Sequence, residues 1–550
     1  MHLHQTTKHR TVAALALAAV ALGLTACGNQ YRPVVAAINP VGPSGQPTKY
    51  AVAVSNPNSA AAYVTGYSIT NNVITVFVTS PDPFTAGQVV TISALPTSTF
   101  LNGQSLTVLP TGLSATQFEA SLTHVNAANT EAGVATLSGS LPGLVTFVDF
   151  SGDTVQDTPS ILANPSYFVL NQGGNEGFTI NANGVFNDFP TTNPSALLTS
   201  NIVQTTLTAA SAPVSITTIT PANGAGTVFV PQTNSSSIAI LSVSTTSLLQ
   251  TLAVGANPVY VVGADGTPRV YAISQGNGGN GQIAAIEATS SSSLGISATI
   301  PVGVAPVYGV MSLDTRRAFI LNKGSGTLSV INVPSNAPDV TTPTITLPNV
   351  TYPGGTSAPN PVWADLSPTT NQLVVLNQGD GTHPGSLSVI NIPLCTASTQ
   401  IVNPLCNAGN PVDGVGFGQI TSTVNVGINP QMVSVLRDGT AAYIANQLDS
   451  TGTCAAGEGS VSVVSLVSGT VTATICGVSS STATSGANTS PANIYGHPTS
   501  ISATTGNPTG KVYVTSPDNQ YLSIIYTDSN TVQAHVNMQG LGVRVLTTSP

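Results

Sequence analysis

Short apolar runs rich in Val, Ile, Tyr and Thr follow one another along most of the chain, separated by Gly, Pro, Asn and Ser. The stretch from Asn257 to Gln275, NPVYVVGADGTPRVYAISQ, shows the pattern: an Asn-Pro, a β-rich run, a turn and a second β-rich run. Residues of this kind in short runs between turn formers predict β-strands rather than helices. The stretch therefore predicts a β-hairpin.

The same hairpin recurs along the chain. Each copy opens on a proline and continues through a second strand such as RVYAISQ, a third such as TLSVINV and a fourth such as TSTVNVG; we call these strands A to D. The opening prolines, spaced by 45 to 69 residues, are Pro165, Pro213, Pro258, Pro306, Pro361, Pro430 and Pro498. Four short strands in a repeat of this length predict the blades of a β-propeller.

A further copy is predicted near the N-terminus. Pro33 opens its A strand, KYAVAVSN supplies its B strand, and the C strand follows late, between Gly143 and Thr154. Residues 61–142 therefore read as a small inserted β domain, residues 27–60 as the start of blade 1, and residues 143–550 as the rest of the propeller. Eight A strands predict eight blades. Seven is the alternative, if the first and last partial copies close one blade, and a series of β-sandwiches is a weaker rival.

Three segments of the repeat carry a family resemblance: KVYVTS (Lys511 to Ser516), LSVIN (Leu328 to Asn332) and TIPVG (Thr299 to Gly303). With them, residues 160 to 545 resemble the YVTN-repeat, YncE-like family of bacterial β-propellers. The resemblance implies the propeller architecture. These motifs are degenerate, so they imply no particular activity.

The composition agrees with a β protein. Only 6% of the residues are charged and 41% are apolar, which argues against general disorder. The net charge is −9, and no basic cluster follows the N-terminal segment, so we expect no nucleic-acid partner.

The N-terminal segment has the pattern of a signal peptide. A polar, basic start precedes the apolar run from Val12 to Leu24, which is too short to span a bilayer. The sequence LTAC, Leu24 to Cys27, resembles a bacterial lipobox, which implies cleavage after residue 26 and lipidation of Cys27. Gly28 implies the outer membrane, facing the periplasm or the cell surface. The alternative is an ordinary secretory signal with an accidental Cys.

Four further cysteines remain, and in an exported protein an even number predicts disulfides. Of the three possible pairings, we expect Cys395–Cys406 and Cys454–Cys476, since each lies within one repeat. Free thiols and a zinc site are the alternatives. No CxxC spacing supports zinc, and we predict neither a metal nor a cofactor.

Candidate ligand-binding residues lie where B–C loops and A-strand starts would share one mouth of the propeller. Amide side chains beside aromatic rings suit neutral polar ligands such as sugars or peptides, although turns also select Asn for its backbone conformation. The A-strand candidates are Tyr260, Tyr308, Trp363 and His497. The loop candidates are Gln275, Asn277, Asn322, Lys323, Asn377, Gln378, Asp380, Asn446 and Gln447.

No catalytic motif is present, so the catalytic residues are unknown from sequence. Asp365 and Asp380 are a possible acid/base pair on blade 6, although solvated loop charges fit them better. The preferred function is a cell-envelope lipoprotein whose propeller binds an envelope protein or a glycan without catalysis. The alternatives are a lactonase-like or quinoprotein-dehydrogenase-like periplasmic enzyme, and a surface adhesive protein acting through the inserted domain.

Overall fold

The computed structural model describes residues 49–548, apart from residues 58–60, 80–83, 85, 138–141, 163, 195–196, 198–200, 209–210, 221–225, 289–293, 368, 395–413, 451, 479–491 and 505–509. The predicted signal peptide, Cys27, Pro33, Cys395 and Cys406 lie outside the described residues. Regular structure in the described part consists of β-strands and short 3-10 turns such as Thr99–Leu101 and Thr233–Ser235. None of its helices is long and apolar enough to cross a membrane.

The first strands in chain order are β1 (Tyr50–Asn56), β2 (Ala61–Thr70), β3 (Val73–Val78), β4 (Val89–Ser93), β5 (Ser105–Thr107), β6 (Gln117–Ser121), β7 (Ala127–Asn129), β8 (Gly133–Leu137), β9 (Leu144–Asp149), β10 (Val155–Asp157), β11 (Tyr167–Leu170), β12 (Glu176–Ile180), β13 (Val185–Pro190) and β14 (Val203–Thr206). The next are β15 (Thr217–Ile219), β16 (Thr227–Gln232), β17 (Ser237–Ser242), β18 (Leu248–Ala253), β19 (Pro258–Val262), β20 (Arg269–Ser274), β21 (Asn280–Glu287), β22 (Ile296–Val304), β23 (Pro306–Met311), β24 (Arg317–Asn322), β25 (Thr327–Asn332), β26 (Ala337–Pro338), β27 (Thr344–Thr346), β28 (Val350–Tyr352) and β29 (Gly355–Ser357). The last are β30 (Pro361–Ser367), β31 (Gln372–Asn377), β32 (Pro384–Asn391), β33 (Ile420–Val435), β34 (Ala441–Leu448), β35 (Ser460–Ser465), β36 (Thr470–Val478), β37 (Ile494–Tyr495), β38 (Ser500–Ala503), β39 (Lys511–Thr515), β40 (Tyr521–Tyr526), β41 (Thr531–Asn537) and β42 (Leu541–Thr547).

Eight antiparallel blades account for most of these strands within the described residues. Blades 2, 3, 4 and 8 are β11–β14, β15–β18, β19–β22 and β38–β41, each in the order A to D. In blade 5, β23, β24 and β25 are followed by β26 and β27, which share the outer position. Blades 6 and 7 are joined because β33 is the outer strand of one and the inner strand of the next. Blade 1 has the order β42–β1–β9–β10.

The inner strands form a closed ring. Each contacts the inner strand of the next blade, from β11 through β15, β19, β23, β30, β33 and β38 to β42, and β42 contacts β11 again. This ring of four-stranded sheets confirms the predicted β-propeller and its eight blades.

The first blade corrects one prediction. Its inner strand is β42, which pairs with β1 from Ala51↔Thr547 to Asn56↔Leu541. The sequence repeat assigned this place to a strand opened by Pro33. The C-terminal strand escaped that comparison because its sequence, LGVRVLT, has no opening proline.

Residues 61–137 form a sheet separate from the blades, in the order β5–β4–β8–β2–β3–β6. A bridge between Val108 and Ala120 brings the region after β5 back to β6, so the sheet closes on itself as a small barrel. Its core includes Phe84 and Phe118, and every member comes from residues 62–137. The strands on either side of this segment, β1 and β9, pair as far as Ser55↔Leu144. The chain therefore leaves the propeller and returns to it at one point.

The recurring Asn-Pro has a conformational cause. The residue before the proline has a positive φ in five copies: Ala212, Asn257, Ala305, Asn360 and Asn429 lie between 47° and 53°. Among side-chain-bearing residues, Asn tolerates this left-handed conformation best. Asn257 and Asn360 also donate from Nδ2 to the carbonyl groups of Gly276 and Gly379, at 2.8 and 2.7 Å. The motif thus joins each A strand to the B–C loop beside it.

The predicted disulfide Cys454–Cys476 is present in blade 7, where it ties the B–C loop to the D strand.

Candidate functional site

Aromatic residues line one level of the central channel, at the position two residues after the opening proline. The rings of Tyr260 and Tyr308 have centroids 4.5 Å apart, and those of Tyr308 and Trp363 are stacked at 4.1 Å. Tyr167 occupies the same position in blade 2. The structure thus brings three of the predicted aromatic residues together, on blades 4, 5 and 6.

Arg544 of the closing strand β42 completes this level. Its guanidinium carbon lies 4.3 Å from the ring centre of Tyr167 and 5.2 Å from that of Trp363. Its Nε is buried and has no hydrogen-bond partner. Burial lowers the pKa of Arg544, but the hydroxyl groups of Tyr167, Tyr308 and Tyr260 together outweigh burial and hold the pKa above its usual value. The channel therefore contains a charged guanidinium between aromatic faces, a cation–π arrangement.

Tyr260 and Tyr308 stay neutral beside that charge. Burial raises the pKa of both phenols above its usual value, and each phenol lies close enough to Arg544 to interact with its charge. Neither phenol therefore supplies a negative charge to Arg544 at physiological pH.

Three cavities follow the channel. One of about 330 Å³ is lined by the aromatic residues, Arg544 and Asp365. It shares Asp365, Ser434 and Leu546 with a cavity of about 480 Å³ whose lining includes A–B turn residues, so this pair opens at the A–B end of the propeller. A third, of about 180 Å³, lies toward the strand starts and is lined by Gln431, Trp363 and Arg544 among others. The level of Trp363 and Arg544 therefore borders cavities on both sides.

Asp365 is the carboxylate of the 330 Å³ cavity. It accepts hydrogen bonds from the backbone N–H groups of Leu366 and Val435, both at 2.8 Å, and so joins the inner strands of blades 6 and 7. Burial raises its pKa to about 6 despite these bonds. Asp365 lies on β30 opposite Val374, whereas Asp380 lies in the loop beyond Asn377, so the two carboxylates are not a pair.

Amide groups from neighbouring blades meet at the opposite mouth, where the B–C loops lie. Lys323 Nζ donates to Gln378 Oε1 at 2.7 Å, Gln378 Nε2 donates to Asn429 Oδ1, and Asn429 Nδ2 donates to Gln447 Oε1. Gln431 Nε2 also donates to Asn429 Oδ1, at 3.0 Å. We call Lys323, Gln378, Asn429, Gln431 and Gln447 the amide chain. All five are half-buried, so the chain borders the mouth over blades 5, 6 and 7.

Three predicted asparagines are buried inside the blades instead. Asn322, Asn377 and Asn446 have no exposed surface, and each donates from Nδ2 to two hydroxyl groups of the adjoining C strand or its turn. They pair the end of the B strand with the C strand and are not available to a ligand. Lys323, Gln378 and Gln447 each follow one of these asparagines and point to the other side, into the mouth, because successive residues of an extended segment alternate between faces.

The remaining loop candidates lie apart from the amide chain. Asn277 is exposed and accepts a hydrogen bond from Asn257, while Gln275 is half-buried. Asp380 accepts hydrogen bonds from the backbone and side chains of Thr382 and His383, which hold the pKa of its carboxyl well below its usual value. These contacts make Asp380 part of a local turn.

His497 is a fully bonded loop histidine. Its Nδ1 lies 2.6 Å from Asp518 Oδ2 and its Nε2 lies 2.9 Å from the Gly457 carbonyl oxygen. Burial lowers the pKa of His497, but Gly457 and Asp518 outweigh it and raise the pKa above its usual value. His497 therefore ties the long B–C loop of blade 7 to blade 8.

Sequence reasoning missed Tyr167, Arg544, Asn429 and Gln431. Tyr167 was within reach, since NPSYFVL aligns it with Tyr260 and Tyr308. Arg544 carried no such signal, because its strand lacks the motif. Among the described residues, no three His, Cys, Asp or Glu side chains are grouped as metal ligands would be.

No protein-family model matches the chain, and no curated protein matches it. Solved structures do resemble it. Dihydro-heme d1 dehydrogenase NirN has a TM-score of 0.46 and 12% identity over 72% of this chain and 71% of that one. AztD from Citrobacter koseri has a TM-score of 0.44 and 11% identity over 74% and 95%, and Kuenenia stuttgartiensis hydrazine synthase has 0.40 and 15% over 60% and 88%.

Proposed function

We propose that this chain is an exported lipoprotein of the YVTN-repeat kind, anchored at Cys27, whose propeller binds a neutral polar ligand without catalysis. The ligand class is a glycan or a peptide segment of the cell envelope. The observation that supports this proposal is the amide chain at the B–C mouth, where side chains of three blades converge on one another.

The chemistry of the amide chain favours a neutral ligand. Within the described residues, Gln447 Nε2 and Gln431 Oε1 are left without a protein partner, so the amide chain presents a free donor group and a free acceptor group to the mouth. A sugar hydroxyl can both donate and accept, and a peptide group offers one of each. Lys323 is the single charge of the chain, and burial lowers its pKa below the usual value.

A binding screen on the purified protein tests the proposal. Envelope glycan fragments and peptides are presented on an array, and positives are measured by calorimetry. We expect Gln447→Leu and Gln431→Leu each to weaken binding about tenfold, the cost of a lost hydrogen bond that leaves its partner unsatisfied. Gln533→Leu, an exposed amide on the outer strand of blade 8, is the matched control. Equal affinities for all four proteins would exclude the mouth.

Anchoring is tested separately. We expect a Cys27→Ser variant to leave the membrane fraction, while the wild-type protein sediments with the outer membrane and carries acyl chains detectable by mass spectrometry. A variant that stays in the membrane would contradict lipidation at Cys27.

A second candidate function rests on the small barrel of residues 61–137. Its surface exposes Tyr63, at 72%, and Phe100, which stacks on His124 with ring centres 4.2 Å apart. Exposed aromatic residues suit an adhesive surface. Excising the barrel while keeping the blades separates the two candidates, since binding through the amide chain survives the excision and adhesion through the barrel does not.

A further inference from the structure

We propose that the channel holds a second ligand site, at Arg544, for a small molecule with a planar face and one carboxylate, such as an aromatic carboxylic acid. The ligand enters from the A–B end and occupies the 330 Å³ cavity. No residue of the amide chain lines this cavity, and the amide chain lies at the other mouth.

The first argument for the site is the positive charge of Arg544. Several other basic side chains in the described part of the chain are paired with carboxylates. Examples are Arg269–Glu287, Arg317–Asp339 and Lys511–Asp153. Within the described residues, the Arg544 guanidinium lies against the rings of Tyr167 and Trp363 and bonds to the Tyr167 hydroxyl, and its Nε has no acceptor. A cation withdrawn from water without a counter-charge is unfavourable. An incoming anion removes that cost.

Asp365 does not serve as the counter-charge. It lines the same cavity, but both its oxygens accept backbone N–H groups, and no ion pair joins it to Arg544 among the described residues. Its carboxylate stands farther along the inner strands, toward the A–B end, where it also disfavours a ligand with a second negative charge.

The aromatic level explains the planar face. Tyr308 and Trp363 present a stacked pair of rings to the cavity, with Tyr260 tilted by 42° beside them, and a flat ligand can extend the stacked pair at the usual stacking distance. The cavity volume of about 330 Å³ lies at the lower end of small-molecule pockets, which span roughly 300–1,000 Å³. A single aromatic ring with one substituent is of the right size.

The donor set favours a carboxylate over a phosphate. One guanidinium matches the two oxygens of a carboxylate with parallel hydrogen bonds. A phosphate dianion needs more positive charge, and Arg544 is the one basic residue in the lining of this cavity.

The chain carries its own reporter for the experiment, because Trp363 is its single tryptophan and lies in the site. The purified full chain is titrated with benzoate at pH 7.5 while the Trp363 emission is recorded. Benzamide has the ring without the charge, acetate has the charge without the ring, and phenyl phosphate has the ring with a larger charge. We expect saturable binding of benzoate, at least tenfold tighter than each of the other three.

Two variants locate the charge. Arg544→Met is expected to weaken benzoate binding by roughly 10- to 100-fold, the effect of losing a hydrogen bond to a charged group. Arg544 lies on the closing strand, where the Met substitution can also disturb folding, so Arg544→Lys serves as the second variant. Arg544→Lys keeps the charge but loses the paired geometry, and we expect it to bind benzoate about tenfold more weakly than the wild type. Arg269→Met, which removes a guanidinium paired within blade 4, is the control and should bind as the wild type does.

The outcomes are decisive in either direction. A one-ring ligand has a weak limit of affinity of about 10 mM. If benzoate does not bind at about that concentration, the proposed site is wrong. Benzamide binding as well as benzoate, or a folded Arg544→Lys variant with unchanged affinity, overturns the role of Arg544. Phenyl phosphate binding more tightly than benzoate overturns the carboxylate assignment. Loss of glycan or peptide binding in the Gln447→Leu variant leaves this result untouched, so the two proposals fail separately.

Discussion

At the residue scale, equivalent positions of the repeat have diverged where they face the channel. Two residues after the opening proline stand Tyr167, Tyr260, Tyr308 and Trp363, but also Ser215, Met432 and Ser500. The large rings lie on blades 2, 4, 5 and 6, and the small or flexible residues lie on blades 3, 7 and 8. The blade framework needs only the proline turn and the strand, so the channel position was free to acquire its own chemistry.

Asp188 makes stability depend on pH. Burial raises the pKa of the Asp188 carboxyl to about 6. The hydroxyl of Thr246, which donates a hydrogen bond to Asp188 at 2.7 Å, opposes this rise, and the nearby charge of Glu176 adds to the rise. Between pH 4 and 6 the folded state keeps a proton that the unfolded state has lost, so stability falls as pH rises. The fall is about 3 kcal/mol at most, given 1.36 kcal/mol per pKa unit.

We expect Asp188→Asn to remove that share of the fall, which unfolding in urea at pH 4, 5, 6 and 7 measures. In Thr246→Ala the pKa of Asp188 rises further, so the fall should extend to higher pH. Parallel curves for the wild type and Asp188→Asn would contradict the assignment.

Ala305 is a position where the repeat can be improved. Its φ of 47° is unfavourable for Ala, and the N–H of Gly324 bonds to Val304 as the N–H of Gly276 bonds to Ala256 in blade 4. We expect Ala305→Asn to gain about 1 kcal/mol, from relief of the left-handed backbone and from a hydrogen bond to the Gly324 carbonyl.

Calorimetry measures the change at position 305, and Ala305→Gly relieves the backbone without adding the bond. If Ala305→Gly equals Ala305→Asn, the side-chain hydrogen bond contributes nothing. A melting temperature lowered by Ala305→Asn would contradict the whole account.

At the scale of elements, we expect the barrel and the blades to unfold as separate cooperative units. The barrel core draws on no residue of the propeller, and the flanking strands β1 and β9 already pair at Ser55↔Leu144. We expect that replacing residues 58–142 by a short Asn-Gly turn leaves the propeller folded, and that residues 61–137 fold alone.

Scanning calorimetry of the full chain and of both pieces checks this independence. The full chain should show two transitions, and each piece should keep one of them at an unchanged temperature. An excised propeller that precipitates or melts early would show that the barrel supports blade 1.

Much of the fold follows from the sequence, and the elements show why the rest does not. Local signals specify hairpins, so the prolines and apolar runs predicted the blades, and three aromatic residues of the channel followed from their shared position. Pairing between β1 and β42 joins the two ends of the described chain and leaves no local signal. The amide chain was half predicted: Asn377 and Gln378 are adjacent in sequence, and only the strand pairing shows which one is buried.

At the scale of the whole molecule, a clamp beside the closing blade holds the ring. Lys511 of blade 8 donates to Asp153 of blade 1 at 2.6 Å and to the Phe150 carbonyl oxygen at 2.9 Å, with both charged side chains 10% exposed. Removing one partner of such a buried pair leaves the other charge buried without a counter-charge, which lowers the free energy of unfolding by about 3–5 kcal/mol.

We expect Lys511→Met to lower the free energy of unfolding by about that amount. Arg269→Met breaks the more exposed pair within blade 4 and a hydrogen bond to the Val333 carbonyl oxygen, and should cost less, about 1–2 kcal/mol. Denaturant unfolding of both variants checks the difference, and equal losses would show that the clamp has no special role in closure.

The position of Arg544 on β42 has a consequence for biosynthesis. Its partner strand β1 is made early and β42 is made late, so the two can pair only after all the blades between them have emerged from the ribosome. Until then the nascent chain has an open ring and lacks Arg544. A chain that ends before residue 541 lacks β42, so it can neither close the ring nor bind an anion through Arg544. Binding of the ligand therefore indicates that β42 has been synthesised.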